Sequence, residues 1–252
     1  MTFILTTNHL TQILKGNKEI EAWHKAMVNV LPNYKIDTVE RVAAFLAQCA
    51  HESNSFTVLE ENLNYSAEQL QKTWPKRFDA KLAAQVARQP QRIAEIAYGG
   101  RMGNTQPNDG WLFRGQGVIQ LTGRDNLTNW GMTLNKSAEQ AVGYIRTKGG
   151  AIEAACWYWK VKNLNKWVDA GDFDGLSDAI NIGRKTAKIG DAHGFPDRKK
   201  RYDNALAVLA GKAAYVAPVA PVVATPSVTP EVSTRVRSTT HRTLPKAPDS
   251  TE

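Results

Sequence analysis

Apolar side chains recur through the first 211 residues at the three- and four-residue spacing of amphipathic helices. The clearest stripe follows the capping residue Thr38 and consists of Val39, Val42, Leu46 and Cys49. Strand-like patterns are few and short, so the chain is predicted to be mainly α-helical. Further helices are predicted just after residues 6–8 and over 66–73, 80–97, 137–148, 151–160, 172–182 and 197–210.

Residues 99–123 break this helical pattern. Seven of the chain's 18 glycines lie there, among polar and aromatic residues that include Trp111 and Arg114. Glycine lets backbone groups approach a ligand closely. This region is therefore predicted to form a loop-built substrate cleft, with at most a small β-hairpin.

Composition changes sharply after Gly211. Residues 212–252 are rich in Ala, Val, Pro, Ser and Thr, carry scattered Arg and Lys, and contain no Trp or Phe. Such a segment cannot bury enough apolar surface to offset the entropy lost on ordering. We interpret residues 1–211 as one folded domain and residues 212–252 as a disordered basic tail.

The chain has 252 residues and a formal net charge of +8, which favours an anionic polymer or surface as partner. Nucleic acid and bacterial envelope both fit, but no nucleic-acid-binding motif is found. No apolar run approaches the ~18–20 residues that span a bilayer, and the N-terminus lacks the features of a signal peptide. We therefore expect no nucleic-acid partner, no stable membrane insertion, and a cytoplasmic location unless another factor releases the protein.

Cys49 and Cys156, the two cysteines, each lie in an apolar, helix-like stretch. Two buried free thiols are favoured over a disulfide. Neither cysteine has a second ligand at zinc-binding spacing, so no metal site and no cofactor are expected.

Glu52 ends the clearest helix and shares a face with Phe45 and Cys49. Burial there would favour the neutral carboxyl group, which suits a general acid. A solvated glutamate at a helix end is the alternative, although a negative charge is disfavoured at a helix C-terminus.

Glu61 follows nine residues later, directly after Glu60. On one unbroken helix, Glu52 and Glu61 would lie on opposite faces, ~13 Å apart along the axis. A break at residues 53–55, where Ser and Asn compete for backbone hydrogen bonds, would let both carboxyl groups flank a sugar. Spacing alone favours the other interpretation, in which Glu60 and Glu61 are a solvated acidic pair.

Other chemistries fit poorly. The HExxH zinc motif would need a second histidine where the chain has Ser55. The GxSxG elbow, the GxxxxGK[ST] phosphate loop and a complete dinucleotide fingerprint are missing from the sequence.

Four motifs, in this order, resemble glycoside hydrolase family 19, the chitinase-like lysozymes, and particularly its phage endolysin branch. They are FLAQCAHES at 45–53, ENLNYSA at 61–67, YGGRMGN at 98–104 and GWLFRGQGVIQLTGRDN at 110–126. The resemblance runs over roughly residues 5–210. It implies a helical, lysozyme-like and chitinase-like fold for the catalytic domain.

The resemblance also implies roles for individual residues. Glu52 matches the general acid that protonates the leaving oxygen, and Glu61 matches the base that activates water. Thr122 matches the hydroxyl residue that helps to hold that water. Gln120 and Asn126 match sugar-binding residues.

Two further residues carry weaker expectations. Trp111 would offer a sugar an apolar face, or it is a buried core residue. Asn181 matches a substrate-binding asparagine, but the stretch from Asn181 to Arg184 departs from the family's pattern and is followed by an insertion through His193. Leu127 replaces an aromatic residue that many relatives carry.

We therefore expect a monomeric, endolysin-type glycosidase that hydrolyses the β-1,4 bonds of peptidoglycan to lyse an infected host cell. Alternatives are a chitinase or lytic transglycosylase of related fold, or a cell-wall-binding module without activity. The nine-residue spacing between Glu52 and Glu61 resembles the endolysin branch, whereas plant-type chitinases insert more chain there.

Truncation after Gly211 is expected to leave folding and hydrolysis of isolated peptidoglycan unchanged. Five of the 32 basic and three of the 24 acidic side chains follow Gly211, so residues 1–211 keep +6 of the net charge of +8. Attraction to an anionic wall should survive. Thermal melting and turbidity clearing measure this, and a melting point lowered by several degrees would show that the tail packs on the domain.

Overall fold

The computed structural model describes residues 3–211. All the regular secondary-structure elements of these residues are helices, and none is a strand, which confirms the mainly α prediction. A 3-10 turn at Leu31–Tyr34 extends the second helix. The α-helices are α1 Thr7–Ile13, α2 Ile20–Val30, α3 Val39–Glu52, α4 Ala67–Thr73, α5 Ala80–Val86, α6 Pro90–Tyr98, α7 Asp109–Leu112, α8 Arg124–Met132, α9 Ala138–Ile145, α10 Lys148–Val161, α11 Asn165–Asp169, α12 Phe173–Asn181 and α13 Phe195–Leu209.

Helix α3 lies at the centre of the larger hydrophobic cluster. Every residue from Val42 to Glu52 is buried, as expected for a helix that is surrounded by other helices. Phe45 packs edge-on against Trp159 of α10, with ring centroids 5.4 Å apart. Helix α13 packs along α3 more extensively than any other described helix does.

A second, smaller hydrophobic cluster is built from α4, α5 and α6. Aromatic rings dominate it: Trp74 lies 5.2 Å from Tyr65, 5.8 Å from Phe78 and 6.2 Å from Tyr98. The segment that carries Glu61 lies between the two clusters. On one side is α3 of the larger cluster, which ends at Glu52, and on the other are the aromatic residues of the smaller cluster.

The prediction of a single helix over 80–97 is wrong, because two helices lie there. Helix α5 ends at Val86 and α6 begins at Pro90. Proline has no N–H and is tolerated only in the first turn of a helix. Arg88 takes a left-handed φ of 61° to make the connection.

Helices α2, α7, α8 and α11 were not among the predicted helices. Ile20, Trp23 and Met27 form a helical stripe in α2 that was overlooked, and Trp23 and Met27 are fully buried. Helix α8 has a weakly helical sequence, rich in Asn, Thr and Gly, and is held by packing of Trp130 on Tyr144.

The sequence predicted at most a small β-hairpin over residues 99–123. The structure has only two isolated β-bridges there among residues 3–211, between Gln116 and Glu60 and between Gln116 and Leu121. Cys49 and Cys156 are free and buried, and burial raises the pKa of both thiols. Within residues 3–211, no helix is long and apolar enough to cross a membrane. The predicted tail lies outside the described residues, so the boundary at Gly211 stays a prediction.

Two helical glycines give a matched test of packing. A Cβ at Gly110 would lie 2.6 Å from the Ala94 carbonyl oxygen, whereas a Cβ at Gly143 would meet nothing within 4 Å. Gly110→Ala is expected to destabilise the fold by about 1–3 kcal/mol through overpacking. Gly143→Ala should stabilise it by about 0.5–1 kcal/mol. Urea unfolding of both variants measures this, and equal changes would contradict the packing of α7 against α6.

Candidate active site

Glu52, the last residue of α3, is only 2% exposed. Its Oε1 accepts a hydrogen bond from Nη2 of Arg198, a residue of α13 with no exposed surface. The sequence led us to expect an apolar surrounding for this carboxyl group. The burial is confirmed, but the carboxyl group also has a charged partner.

Arg198 is held by two further acceptors. Its Nη1 donates to Oε1 of Gln48 at 2.5 Å, and its Nε donates to the carbonyl oxygen of His193 at 3.0 Å. Gln48 in turn donates to the Ser177 hydroxyl at 2.9 Å. Helices α3, α12 and α13 therefore fix Glu52 through one buried polar network.

A second network lies beside Glu52. Nδ1 of His51 lies 2.6 Å from Oδ2 of Asp197, and Nε of Arg201 donates to the same oxygen at 2.8 Å. Arg201 also donates to the Ser55 hydroxyl at 2.9 Å. Burial lowers the pKa of His51, while the hydrogen bond to His51 holds the pKa of Asp197 well below its usual range. The start of α13 is thereby tied to the turn after Glu52.

The predicted break after Glu52 is confirmed. Helix α3 ends there, and Asn54, Ser55 and Phe56 have left-handed φ values of 49°, 59° and 64°. Each such residue costs roughly 1–3 kcal/mol. Phe56 is buried against Trp23, with ring centroids 5.2 Å apart, and so anchors the turn.

Glu61 lies on the returning segment and is only 7% exposed. The Tyr98 hydroxyl lies 2.7 and 2.9 Å from its two carboxylate oxygens, and the Gly115 N–H donates to Oε2 at 3.2 Å. Burial raises the pKa of Glu61, although Tyr98, Gly115 and nearby Arg114 act in the opposite direction. Glu61 is thus a desolvated carboxyl group with fixed donors.

The interpretation of Glu60 and Glu61 as a solvated acidic pair is wrong. Glu61 is buried, and Glu60 forms ion pairs with the buried Arg114 and with Arg146. Successive residues of this extended segment point in opposite directions. Only Glu61 faces Tyr98.

Gln120 lies beside Glu61, and hydrogen bonds connect Gln120 to Thr122 and Thr122 to Asn126. A Cβ at Gly115 would lie 2.8 Å from Oε1 of Gln120 and 3.4 Å from Oε2 of Glu61, so the absence of a side chain there lets these groups approach. The Thr122 hydroxyl donates to the Gln120 carbonyl at 2.9 Å, and Nδ2 of Asn126 donates to the Thr122 carbonyl at 2.8 Å. The glycine-rich region therefore forms one wall around Glu61.

Asn181 belongs to the Glu52 side of the site. Its Oδ1 accepts a hydrogen bond from the backbone N–H of His193 at 2.8 Å. The carbonyl oxygen of the same histidine accepts from Arg198. Two hydrogen-bonded steps thus connect Asn181 to the guanidinium that holds Glu52.

No described contact joins Trp111 to Glu61 or Gln120. It is partly buried beside the second cluster, and the Arg114 guanidinium lies 3.7 Å above its ring. Among residues 3–211, no group of three or more His, Cys, Asp or Glu side chains is arranged to hold a metal ion.

A curated protein from Haemophilus influenzae, described as a glycosyl hydrolase family 19 domain-containing protein, is 40% identical to this chain over 165 residues. The match covers 64% of this chain and 76% of that protein. This chain belongs to glycosyl hydrolase family 19. It is a glycoside hydrolase with a polysaccharide substrate. No protein-family model matches the chain.

Solved structures show the family 19 fold. Chitinase C from Streptomyces griseus HUT6037 superposes with a TM-score of 0.57 at 16% identity, covering 85% of this chain and 96% of that one. A bacterial family 19 chitinase gives 0.53 at 18% identity, covering 84% and 97%. At these identities the likeness shows the fold alone, and it confirms the expected chitinase-like architecture.

Sequence reasoning assigned no role to Arg198, Gln48 or Tyr98. Arg198 had a detectable signal, because it occupies the apolar stripe of α13 three residues after Phe195 and seven before Ala205. A charged residue at a core position of a helix indicates a buried partner. Tyr98 was visible only as part of a motif.

Tyr98→Phe should raise the pKa of Glu61 further. The Tyr98 hydroxyl stabilises the ionised carboxylate, so its removal leaves burial less opposed, and the proton is retained to higher pH. Carbon NMR titration of labelled glutamate side chains measures the shift. Tyr65→Phe is the control, because this neighbouring buried tyrosine donates no described hydrogen bond to Glu61. An unchanged Glu61 titration in Tyr98→Phe would contradict the assignment.

Proposed function

We propose that this family 19 enzyme hydrolyses the β-1,4-linked backbone of bacterial peptidoglycan, with Glu52 as general acid and Glu61 as general base. The observation that carries the proposal is the pair of buried carboxyl groups, 2% and 7% exposed, on either side of the left-handed turn at 54–56. Two carboxyl groups on opposite sides of a glycosidic bond are the apparatus of most glycosidases.

The contacts of Glu52 suit a proton donor. Arg198 binds Oε1, while Oε2 accepts no hydrogen bond from residues 3–211 and is available to the substrate. Negative charge develops on Glu52 as its proton moves to the leaving oxygen. The Arg198 guanidinium stabilises that charge where it appears, without further rearrangement.

The contacts of Glu61 suit a base that activates water. Its pKa is raised by burial, which strengthens it as a proton acceptor near neutral pH. Tyr98 and Gly115 hold its orientation. In this proposal Thr122 helps to position the water, and Gln120, Asn126 and Asn181 bind sugar hydroxyl and amide groups. Trp111 is left out, because it lies against Arg114.

Charge favours peptidoglycan over chitin. Residues 1–211 carry a net charge of +6, and peptidoglycan presents carboxylates on its peptides, whereas chitin is uncharged. Long-range attraction raises the local concentration of an oppositely charged polymer. The phage endolysin assignment and the lysis of an infected host belong to this proposal.

Chitin hydrolysis is the second candidate. It is favoured by the solved structures described above, which are chitinases. Zymograms on peptidoglycan and on glycol chitin separate the two functions. New reducing ends from purified peptidoglycan would support hydrolysis, whereas 1,6-anhydro ends would show a lytic transglycosylase, and binding without cleavage would show an inactive wall-binding module.

The proposed setting is the cytoplasm of an infected bacterium, from which the enzyme reaches the wall through a membrane lesion. Expression in bacterial cytoplasm, followed by controlled permeabilisation of the membrane, tests it. Lysis should begin only after permeabilisation.

Glu52→Gln and Glu61→Gln should each lower kcat by about 10²–10⁴-fold, because neither amide transfers a proton. Glutamine keeps the shape and an acceptor oxygen, so both variants should stay folded in thermal melting, although Glu52→Gln weakens the ion pair with buried Arg198 and should melt at a lower temperature. Turbidity clearing and release of reducing ends measure the loss.

Glu60→Gln is the matched control for Glu61→Gln. It should keep near wild-type activity, although weakening the ion pair with buried Arg114 should lower stability by about 1–3 kcal/mol. Activity above one third of wild type in Glu52→Gln would refute the acid assignment. Equal loss in the Glu60 and Glu61 variants would mean that the base lies elsewhere.

A further inference from the structure

The segment between Asn181 and His193 forms a loop that rises from the Glu52 side of the site. Its base is closed by the hydrogen bond from the His193 N–H to the Asn181 side chain. The His193 ring centroid lies 6.5 Å from that of His51, the neighbour of Glu52. Its middle is six residues from either end, and six extended residues span at most about 22 Å, so every part of this loop lies within that distance of its base.

The loop is held by acidic side chains, most of them on α12. The Gly190 N–H donates to Asp174 at 2.7 Å, and the Thr186 N–H donates to Asp178 at 2.9 Å. Lys185 donates to Asp172 and Asp174 at 2.9 and 3.0 Å. These contacts fix the loop before any ligand binds, which reduces the ordering cost of binding.

Two positive charges on the loop are not used in this anchoring. Arg184 and Lys188 are exposed, and neither side chain makes a hydrogen bond or ion pair with another residue of 3–211, although the Lys188 carbonyl oxygen accepts from the Thr186 hydroxyl at 3.1 Å. Lys185, by contrast, is neutralised by its two aspartates. Ile189, next to Lys188, is 80% exposed. The loop therefore presents free cations together with an apolar side chain.

We propose that the loop over 183–191, through Arg184, Lys188 and Ile189, binds the stem peptides of peptidoglycan while the glycan lies at Glu52 and Glu61. The inference rests on the proposed function and deepens it. Stem peptides carry carboxylates and alanine methyl groups on the same short chain, which matches cations beside an apolar side chain. A polyol phosphate such as teichoic acid offers the charge but no comparable apolar group.

The test is co-sedimentation of the full chain with Gram-negative sacculi, which carry peptides but no wall teichoic acid. The substrate is compared before and after carbodiimide amidation, which removes the peptide carboxylates and leaves the glycan. Arg184→Gln/Lys188→Gln should weaken binding to native sacculi roughly 3- to 10-fold, as for two exposed ionic contacts. The difference should vanish on amidated sacculi and shrink with added salt.

The control is Lys25→Gln/Lys160→Gln, which removes the same charge from exposed positions on α2 and α10. It should bind like wild type. Equal weakening in both double variants would mean that only overall charge matters, and would overturn the inference. For Arg184→Gln/Lys188→Gln, an equal defect on amidated sacculi or unchanged binding to native sacculi would each overturn the inference.

Reducing-end release from the same sacculi keeps the two proposals apart. Wild-type protein that binds sacculi but releases no reducing ends would refute peptidoglycan hydrolysis. The binding data would still test whether the loop binds stem peptides. Failure of wild-type protein to bind native sacculi would overturn the loop proposal itself. Ile189→Ala should weaken binding to native and amidated sacculi alike, because its contact is apolar.

Discussion

Arg198 is a charged side chain with no exposed surface, enclosed between α3 and α13. Removing a guanidinium from water costs several kcal/mol unless its N–H groups find acceptors. Here the acceptors are Glu52, Gln48 and the His193 carbonyl group. Since guanidinium donors form a rigid fork, these three groups must be placed together, and the position of Glu52 therefore depends on how α13 packs along α3.

The same packing supports the strained turn at 54–56. Consecutive left-handed residues with side chains are unfavourable on their own. Arg201 of α13 binds Ser55, Asn17 donates to the Ser55 carbonyl group at 2.8 Å, and Phe56 is buried. The turn sends the chain back along a path that places Glu61 under Tyr98 and Gly115. The packing of α13 along α3 therefore supports both the burial of Arg198 and the chain reversal at 54–56.

The features of the site that pattern and spacing predicted, without the family resemblance, are those set by residues near one another in the chain. The stripe of α3, the capping residue Thr38 and the break after Glu52 all depend on residues close together in the chain. Arg198 lies 146 residues from Glu52, and Tyr98 lies 37 residues from Glu61. Spacing in one sequence carries no information on such pairs. For the same reason α8 was missed, since its weak local propensity is overridden by packing of Trp130.

The two carboxyl groups belong to different hydrophobic clusters. Glu52 ends a helix of the larger cluster, whereas Glu61 is held by Tyr98 of the smaller one. Regions with smaller cores open at lower free energy than the whole fold. Loosening of α4, α5 and α6 would release Glu61 while α3 and Glu52 stay in place. On heating, the active geometry should therefore fail before most of the helical structure melts, so the temperature of inactivation reports on the smaller cluster alone.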